Sequence, residues 1–403
     1  MDARIESPSW SAAAPGSGAE PARLALFEGG PDEALQRALR VAGSERRNVV
    51  RRALVAVLVA WVPLVVLSAL GGRALGSSYR DSMLLDPAMD ARFAIALPLL
   101  VLAAPALSRR MQSIVAHFLR AELVKPTERA RFHEDIVAVL RWRDSRAAFA
   151  LMVAVAAIHA LALGAASIAE MSGSWRVADG GLSAAGWWLV VVSQPLYDIV
   201  VLQFLYRVAL WWRWLWRVSR LDLQLNGTHP DGAGGLSFVA GVLYAFRVPL
   251  FAIACSAAGS LANVLLWTGA SLTSFRYAIA ALAVVLVALA AGPLAFFNAP
   301  LARAKQRDAL VSGVLAGRQL RAFEAKWLGD KSIEVDETFR APDFSSVDHL
   351  NATVAAVHRM NTVPFLRKQL IPLAVAVLLP FVPVAAIEMP LDEIVSQVWQ
   401  LVR

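Results

Sequence analysis

The sequence contains little charge and almost no cysteine for a chain of 403 residues. Charged residues make up 17% of it, whereas an ordinary soluble domain has about 25%. Its one cysteine, Cys255, lies within an apolar run. A single cysteine cannot form an intrachain disulfide, and it gives no basis for a cysteine metal site. The composition therefore excludes a disulfide framework and argues against an ordinary soluble protein.

The sequence also lacks the short motifs that mark the common enzyme classes. It has no HExxH, no phosphate-binding loop, no GxSxG and no dinucleotide fingerprint. Five of its six histidines are scattered over the polar segments, without metal-ligand spacing. The sequence therefore names no catalytic residue, no metal ligand and no cofactor. This weighs against an enzyme without excluding one.

Long apolar runs are what the sequence does contain. The hydrophobic fraction is 58% and the mean hydropathy is +0.54. A bilayer core of about 30 Å is crossed by about 20 apolar helical residues. The runs predict an all-α, polytopic membrane bundle of seven transmembrane helices. The expected spans are 53–70, 92–107, 147–167, 186–206, 248–268, 278–299 and 369–387.

The polar segments between and beyond these spans complete the expected organisation. Residues 1–22, rich in Ala, Ser, Pro and Gly, are typical of a disordered tail. No cleavable signal peptide is evident in the first 52 residues, so the first span is expected to act as the insertion signal. The other expected units are an interfacial helix in 23–52, a membrane domain at 53–299 with cytoplasmic helical insertions at 108–146 and 207–247, a cytoplasmic helical region at 300–368, and a short amphipathic helix at 388–403.

Basic residues predict the orientation. With the N-terminus in the cytoplasm, the inside segments carry 33 Lys and Arg residues and the outside segments carry 6. Cytoplasmic loops are enriched in these residues, so N-terminus in and C-terminus out is expected, in the inner membrane of a bacterium. The same rule accounts for the net charge of +8 better than nucleic-acid binding does. The expected partner is the bilayer, with anionic lipid at the cytoplasmic face.

The stretch NGTHPDGAGGL at 226–236 separates two apolar stretches. The unbroken apolar pattern on both sides predicts a long helical hairpin, 186–268, whose tip projects into the cytoplasm. Asp231 is suited to cap the following helix, and Gly234 and Gly235 permit a tight reversal. His229 has no such structural role. A corner is favoured over an anion site formed by His229, Asp231, Gly234 and Gly235, because the stretch lacks the other parts of a phosphate loop.

A tryptophan-rich segment precedes this loop. Aromatic and cationic side chains next to a span are typical of the membrane interface, where they anchor helices at headgroup level. This favours a lipid-facing belt over a binding site for single-stranded nucleic acid. The belt residues are Trp211, Trp212, Arg213, Trp214, Trp216 and Arg217.

Ionisable side chains within spans are candidate sites, because each costs about 2.5–3.5 kcal/mol at mid-helix. The antiparallel third and fourth spans place His159 about 18 Å and Asp198 about 12 Å above the inner face, within about one helical turn. Gln194 shares a helix face with Asp198. The group is either a proton relay or cation site, or a hydrogen-bonded contact between helices, and the second alternative is the commoner. Asn263 is expected to form an interhelical hydrogen bond.

Several stretches together resemble a known group of proteins. They are LFEGGP at 26–31, RRALVAVLVAWVPLVVL at 51–67, ARFAIALPLLVLAAP at 91–105, DSRAAF at 144–149, WWRWLWRVSRLDLQLNGTHPDGAGGL at 211–236 and MNTVPF at 360–365. The chain resembles bacterial, mainly proteobacterial, inner-membrane proteins of unknown function that share a THPD-x-AGGL loop. The resemblance covers nearly the whole chain. It implies an inner-membrane location and assigns no functional residue.

Three functional hypotheses follow. The first is a channel or transporter whose path is lined by the His159–Asp198 group. The second is a scaffold or sensor whose cytoplasmic helices and 226–236 loop bind a protein partner. The chain is also a candidate to form a homo-oligomer. The third is a lipid-acting enzyme that uses His229 and Asp231. It is least favoured because a general base must reach its substrate, and the expected hairpin tip lies about 30 Å from the hydrocarbon.

Overall fold

The computed structural model of this chain is a helical bundle. It describes residues 24, 26, 46–170, 173–327, 342–365 and 367–387. Among these, six helical segments are long and apolar enough to cross a membrane: Arg47–Leu70, Pro87–Arg120, Arg146–Ala169, Ala184–Val218, Ser237–Thr268 and Leu272–Ala325. Each contains one of the first six expected spans, and several extend well beyond it; this fits a multi-pass membrane protein.

Besides the one-turn helix Pro87–Met89, the described residues form thirteen α-helices. A β-hairpin of Val177–Ala178 (β1) and Gly181–Leu182 (β2) lies between the third and fourth segments of membrane length. The helices are α1 (Arg46–Ala60), α2 (Val62–Leu70), α3 (Leu97–Arg120), α4 (Arg129–Arg143), α5 (Arg146–Glu170), α6 (Ala184–Trp188), α7 (Gln194–Val218), α8 (Val242–Thr268), α9 (Arg276–Ala291), α10 (Asn298–Trp327), α11 (Pro342–Arg359), α12 (Arg367–Leu378) and α13 (Phe381–Ala385).

Helix α8 is the most enclosed of the membrane-length segments, and it packs against α3, α12 and the turn before α3. Small residues permit this burial. At Gly259 an added Cβ would lie 2.4 Å from the carbonyl oxygen of Pro87, so only glycine fits there. Most buried apolar residues of α8 belong to the larger of the two hydrophobic clusters, called the main core below. Another side of α8 packs on the segment that begins at Pro87.

Two π-helical segments interrupt the membrane helices, at Asp90–Ala96 before α3 and at Leu189–Ser193 before α7. Each is followed by a proline in the first turn of the next helix, Pro98 and Pro195. Proline has no N–H, and its ring clashes with the carbonyl four residues earlier, so the preceding turn widens. Short π-helical turns occur frequently at functional sites.

The expected hairpin of 186–268 is corrected in one respect. Helix α7 ends at Val218, and residues 219–236 fold against other segments instead of projecting as a straight tip. Leu223 pairs with Val124 in an antiparallel bridge, and Gln224 N donates to Leu123 O. Leu221, Leu223 and Leu225 alternate with polar residues and are all buried in this non-helical segment, which helical periodicity did not anticipate.

The last expected span, 369–387, consists of two short helices, α12 and α13. Helix α12 ends at Leu378, just before Pro380, because the residue preceding a proline is disfavoured in helical conformation. A seventh span stays a prediction, as does the N-in/C-out orientation. The tail 1–22 and the expected helix 388–403 lie outside the described residues, as does most of 23–45.

Candidate functional site

His159 and Asp198 meet between α5 and α7. His159 Nδ1 lies 2.8 Å from Asp198 Oδ2, and Gln194 Nε2 donates to Asp198 Oδ1 over 2.8 Å. The His159 side chain is 58% exposed on the outer surface of the bundle, whereas that of Asp198 is only 11% exposed. The pair thus joins the surface of the bundle to a polar group in its interior.

Arg92 extends this group towards α8. Its Nη1 donates to Gln194 Oε1 over 2.8 Å, and its Nη2 donates to Ser260 Oγ over 3.2 Å. Its Nε lies 3.4 Å from Ser256 Oγ. The connected residues His159, Asp198, Gln194, Arg92, Ser256 and Ser260 are called the polar chain below.

The two π-helical segments position the polar chain. Arg92 lies within the first segment, and Gln194 directly follows the second. The sequence analysis missed Arg92, because this residue begins the expected span 92–107 and was counted with the basic residues of the outside segments. A proline six residues after an arginine in an apolar segment was the available signal. The approach of α8 at Gly259, which brings Ser256 and Ser260 to Arg92, had no local signal.

A second buried polar group surrounds Asp86. Arg176 Nη2 lies 2.6 Å from Asp86 Oδ2, and Trp175 Nε1 donates to the same oxygen. Asn263 Nδ2 donates to Asp86 Oδ1 over 2.7 Å. The Asp86 and Arg176 side chains are 0% and 4% exposed. This is the Asp86 cluster, a closed ion pair that links the 86–89 turn, the β-hairpin and α8, with Asn263 as an interhelical hydrogen bonder.

The formal charges of these groups nearly balance. Asp86 offsets Arg176 by direct contact, while Asp198 offsets Arg92 through the intervening Gln194 amide. An imidazole in hydrogen-bond contact with a carboxylate can exchange a proton with it. The contact between His159 and Asp198 is therefore the part of the polar chain that is chemically able to transfer a proton.

The 226–236 loop is a corner in the structure. Asp231 Oδ1 accepts hydrogen bonds from the backbone N–H groups of Ala233 and Gly235, and its Oδ2 accepts one from Ser237. His229 Nδ1 lies 2.9 Å from Asp231 Oδ1. Burial alone would raise the pKa of Asp231, but these hydrogen bonds outweigh it and hold the pKa below the ordinary 3.8.

The glycines of this loop have the conformation that a corner requires. Gly234 and Gly235 have φ values of 62° and 94°, in the left-handed region that favours glycine. The loop is held by neighbouring segments, since Asp308 accepts from Gly227 N and Asn361 N donates to Gly232 O. His229 and Asp231 thus have structural partners, and their contacts do not point to a ligand.

The predicted tryptophan belt is wrong for two of its members. Trp211 and Trp214 are 0% exposed and stack in the main core with ring centroids 5.1 Å apart. Residues three apart share one helix face, and in α7 this face is turned inward. Trp212 is partly buried and donates to Leu289 O. These three side chains pack in the protein interior. The number of tryptophans next to a span did not indicate which face of α7 they occupy.

The other members of the predicted belt are more exposed. Trp216 is 43% exposed, and Arg213 lies over the Trp142 ring at 5.7 Å. Arg217 forms an ion pair with Asp135 of α4. Contact of Trp216 and Arg213 with lipid stays a prediction, and Arg217 also joins α7 to α4.

Among the groups described above, the polar chain is best suited to bind a proton or a charged solute. Within the described ranges, no three His, Cys, Asp or Glu side chains gather as metal ligands would. The polar chain instead holds a His–Asp pair between two helices of membrane length and connects it to a guanidinium. Such groups bind and release protons or hold a charged solute. Comparison with family models, curated proteins and solved structures finds no match for this chain.

Proposed function

We propose that this protein moves protons or small cations across a bacterial inner membrane, with His159 and Asp198 as the proton-carrying pair. The observation that carries the proposal is the 2.8 Å contact between His159 Nδ1 and Asp198 Oδ2 inside membrane-length helices. Ionisable groups are expensive at this depth, and they commonly mark ion paths and proton relays.

The hydrogen bonds of Asp198 support a relay over a simple helix contact. One carboxylate oxygen meets His159, and the other accepts from Gln194, which in turn accepts from Arg92. A contact that only joins α5 to α7 would need the first of these bonds alone. The additional connection to Arg92 links a change of protonation at His159 to the hydrogen bonds of Arg92 in the interior of the bundle.

The proposed setting follows from the charge distribution. An excess of 33 to 6 basic residues favours a cytoplasmic N-terminus, and the resemblance in the sequence favours a bacterial inner membrane. In this orientation α10 and α11 lie in the cytoplasm. The partly exposed Trp216 and Arg213 then lie near the cytoplasmic leaflet, where anionic lipid is the expected partner.

Proton flux into liposomes tests the proposal. Purified protein is reconstituted with a trapped pH-sensitive dye, and the rate of internal acidification is measured after an external pH jump. We expect H159A and D198N each to lower the flux at least about tenfold, because one link of the relay is removed. H133Q, at a partly exposed residue of α4, and D144N, at an exposed residue just after α4, are matched controls.

The flux measurement has one outcome that overturns the proposal and one that supports it. Flux that survives in both the H159A and D198N variants overturns the proposal. Flux that depends on both residues, and is retained in H133Q and D144N, supports it. The variants are compared at equal amounts of monodisperse protein, so that a folding defect is not counted as lost transport.

A specific observation favours a second candidate, a scaffold that associates through α10. Four large apolar residues on the outward side of α10 are exposed: Leu310 by 73%, Val311 by 57%, Val314 by 56% and Leu315 by 51%. They lie just after Asp308, which contacts the 226–236 loop, and α10 also packs on α11. An apolar stripe outside the expected membrane spans is typical of an interaction surface.

Cysteine cross-linking tests the second candidate with another copy of the chain as the partner. V314C is introduced into a C255A background, with V285C on the exposed apolar side of α9 as the matched control. Rapid disulfide dimerisation of V314C alone in nanodiscs of native lipid supports association through α10. Equal, slow dimerisation of both variants argues against a second copy at this surface.

A further inference from the structure

Within the described part of the chain, the guanidinium of Arg92 has hydrogen-bond partners but no carboxylate partner. Its three hydrogen bonds are with the hydroxyls of Ser256 and Ser260 and with the amide oxygen of Gln194, and its Cζ lies 5.6 Å from the centroid of the Tyr197 ring. Among the described residues, no Asp or Glu lies within ion-pair distance of Arg92. A guanidinium has five N–H donors, so these contacts leave one N–H on each terminal nitrogen.

Gln194 holds Arg92 and Asp198 apart. Its Oε1 accepts from Arg92, its Nε2 donates to Asp198, and the residue is 1% exposed. In surroundings of low dielectric, opposite charges attract far more strongly than in water. The separated arrangement leaves the positive charge of Arg92 without a contacting anion, whereas Arg176 in the Asp86 cluster directly contacts its carboxylate.

Arg92 is largely enclosed but not fully buried. The residue is partly exposed, although Ser256 and Gln194 on two sides of it are buried. Its charge repels free cations, as arginines in membrane pores do. The polar chain is therefore poorly suited to a cation as the solute, and well suited to an anion held by the remaining N–H groups of Arg92.

We propose that Arg92 binds the carboxylate of a small organic anion, which crosses the membrane together with the proton of the His159–Asp198 pair. The planar guanidinium matches a carboxylate in a two-bond pair. A carboxylate moving with one proton carries no net charge, which avoids the cost of moving a lone charge through the bilayer. This inference rests on the proposed function and narrows the moving cation to a proton.

Binding in detergent tests Arg92 apart from transport. The midpoint of thermal unfolding is measured with sodium lactate, succinate and gluconate, and with sodium chloride and sulfate at matched ionic strength. We expect at least one carboxylate to stabilise the wild type above both inorganic salts. R92Q should weaken its apparent affinity by about 10- to 100-fold, the size of lost charge-assisted hydrogen bonds.

Two further variants keep the binding test decisive if R92Q folds poorly. R92K retains the charge without the planar fork, and it should lose part of the carboxylate shift. R276Q removes an exposed arginine at the start of α9, away from the polar chain, and should retain the whole shift. The proposal is overturned if no carboxylate stabilises the wild type, or if neither Arg92 variant weakens the shift.

Transport separates this inference from the function on which it rests. Internal acidification is measured with and without an inward gradient of the carboxylate that stabilises the wild type. Flux that depends on His159 and Asp198, but neither on the carboxylate nor on Arg92, overturns the anion and leaves proton movement in place. Carboxylate binding by Arg92 with flux that ignores His159 and Asp198 overturns the proposed function instead. Flux that needs the carboxylate and all three residues supports both.

Discussion

Gly259 and Pro87 pack so closely that the backbone of one helix rests on the carbonyl of the other segment. An ideal Cβ at Gly259 would lie 2.4 Å from Pro87 O and 2.5 Å from Ala91 Cβ. The contact lies next along α8 to Ser260, whose hydroxyl accepts from Arg92. The absence of one side chain thus lets α8 reach both the polar chain and the Asp86 cluster.

The first prediction concerns this contact. Gly259→Val should destabilise the protein by about 1–3 kcal/mol, because inserted carbons force the backbone of the 87–91 segment away from α8. Thermal unfolding in detergent measures the change. Gly313→Ala on α10 is the control, because an added Cβ meets nothing within 4 Å there and alanine favours helix. Equal stability of Gly259→Val and wild type would contradict the close packing.

The second prediction concerns the Asp86 cluster. Asp86→Asn should cost about 3–5 kcal/mol of unfolding free energy, because it leaves the buried Arg176 guanidinium without its counter-charge. Unfolding by denaturant in detergent micelles measures it. Asp81→Asn removes a partner of Arg73 at a more exposed site and should cost less than about 1 kcal/mol. Similar losses in both variants would contradict a buried, charge-paired Asp86 cluster.

The third prediction concerns the pH dependence of the 226–236 loop. The folded pKa of Asp231 lies below 3.8, so its ionised form stabilises the fold at pH values above 3.8. This stabilisation is lost as the pH falls through the folded pKa. Asp231→Asn should therefore lower the unfolding midpoint at pH 7, and the difference from wild type should shrink below pH 3.8.

Thermal unfolding between pH 7 and pH 3 checks this dependence. Asp144→Asn is the control, since the Asp144 side chain is half exposed and pairs with the adjacent Arg143. A difference between Asp231→Asn and wild type that stays constant with pH would mean that the charge of Asp231 does not stabilise the loop.

The fourth prediction separates the two kinds of tryptophan in α7. Trp214→Ala should destabilise by about 3–5 kcal/mol, because it removes a fully buried ring that contacts Phe118 and Phe132. Trp216→Ala should cost much less, since its ring is 43% exposed. The unfolding free energies are compared in one detergent. A larger loss for Trp216→Ala would favour the lipid-facing belt over the core.

Much of this architecture was predictable from composition and periodicity. Apolar runs of membrane length located six helices, because water-excluding lipid tolerates only segments that satisfy their own backbone hydrogen bonds. Helix length also placed His159 and Asp198 at similar depth, and the structure brings them into contact. The turn chemistry of Asp231, Gly234 and Gly235 was likewise local, and so the corner was favoured from the sequence.

The remainder depends on contacts between distant segments. Arg92 looked like a loop residue until a π-helical turn and the approach of α8 gave it partners 102, 164 and 168 positions away. Trp211 and Trp214 carried no mark of which side of α7 faces the core. The chain alone located the six helices of membrane length and the polar groups that they contain, since each depends on neighbours along one helix. Only the folded bundle decided which polar groups touch, because rotation and packing of the helices depend on residues far apart in the chain.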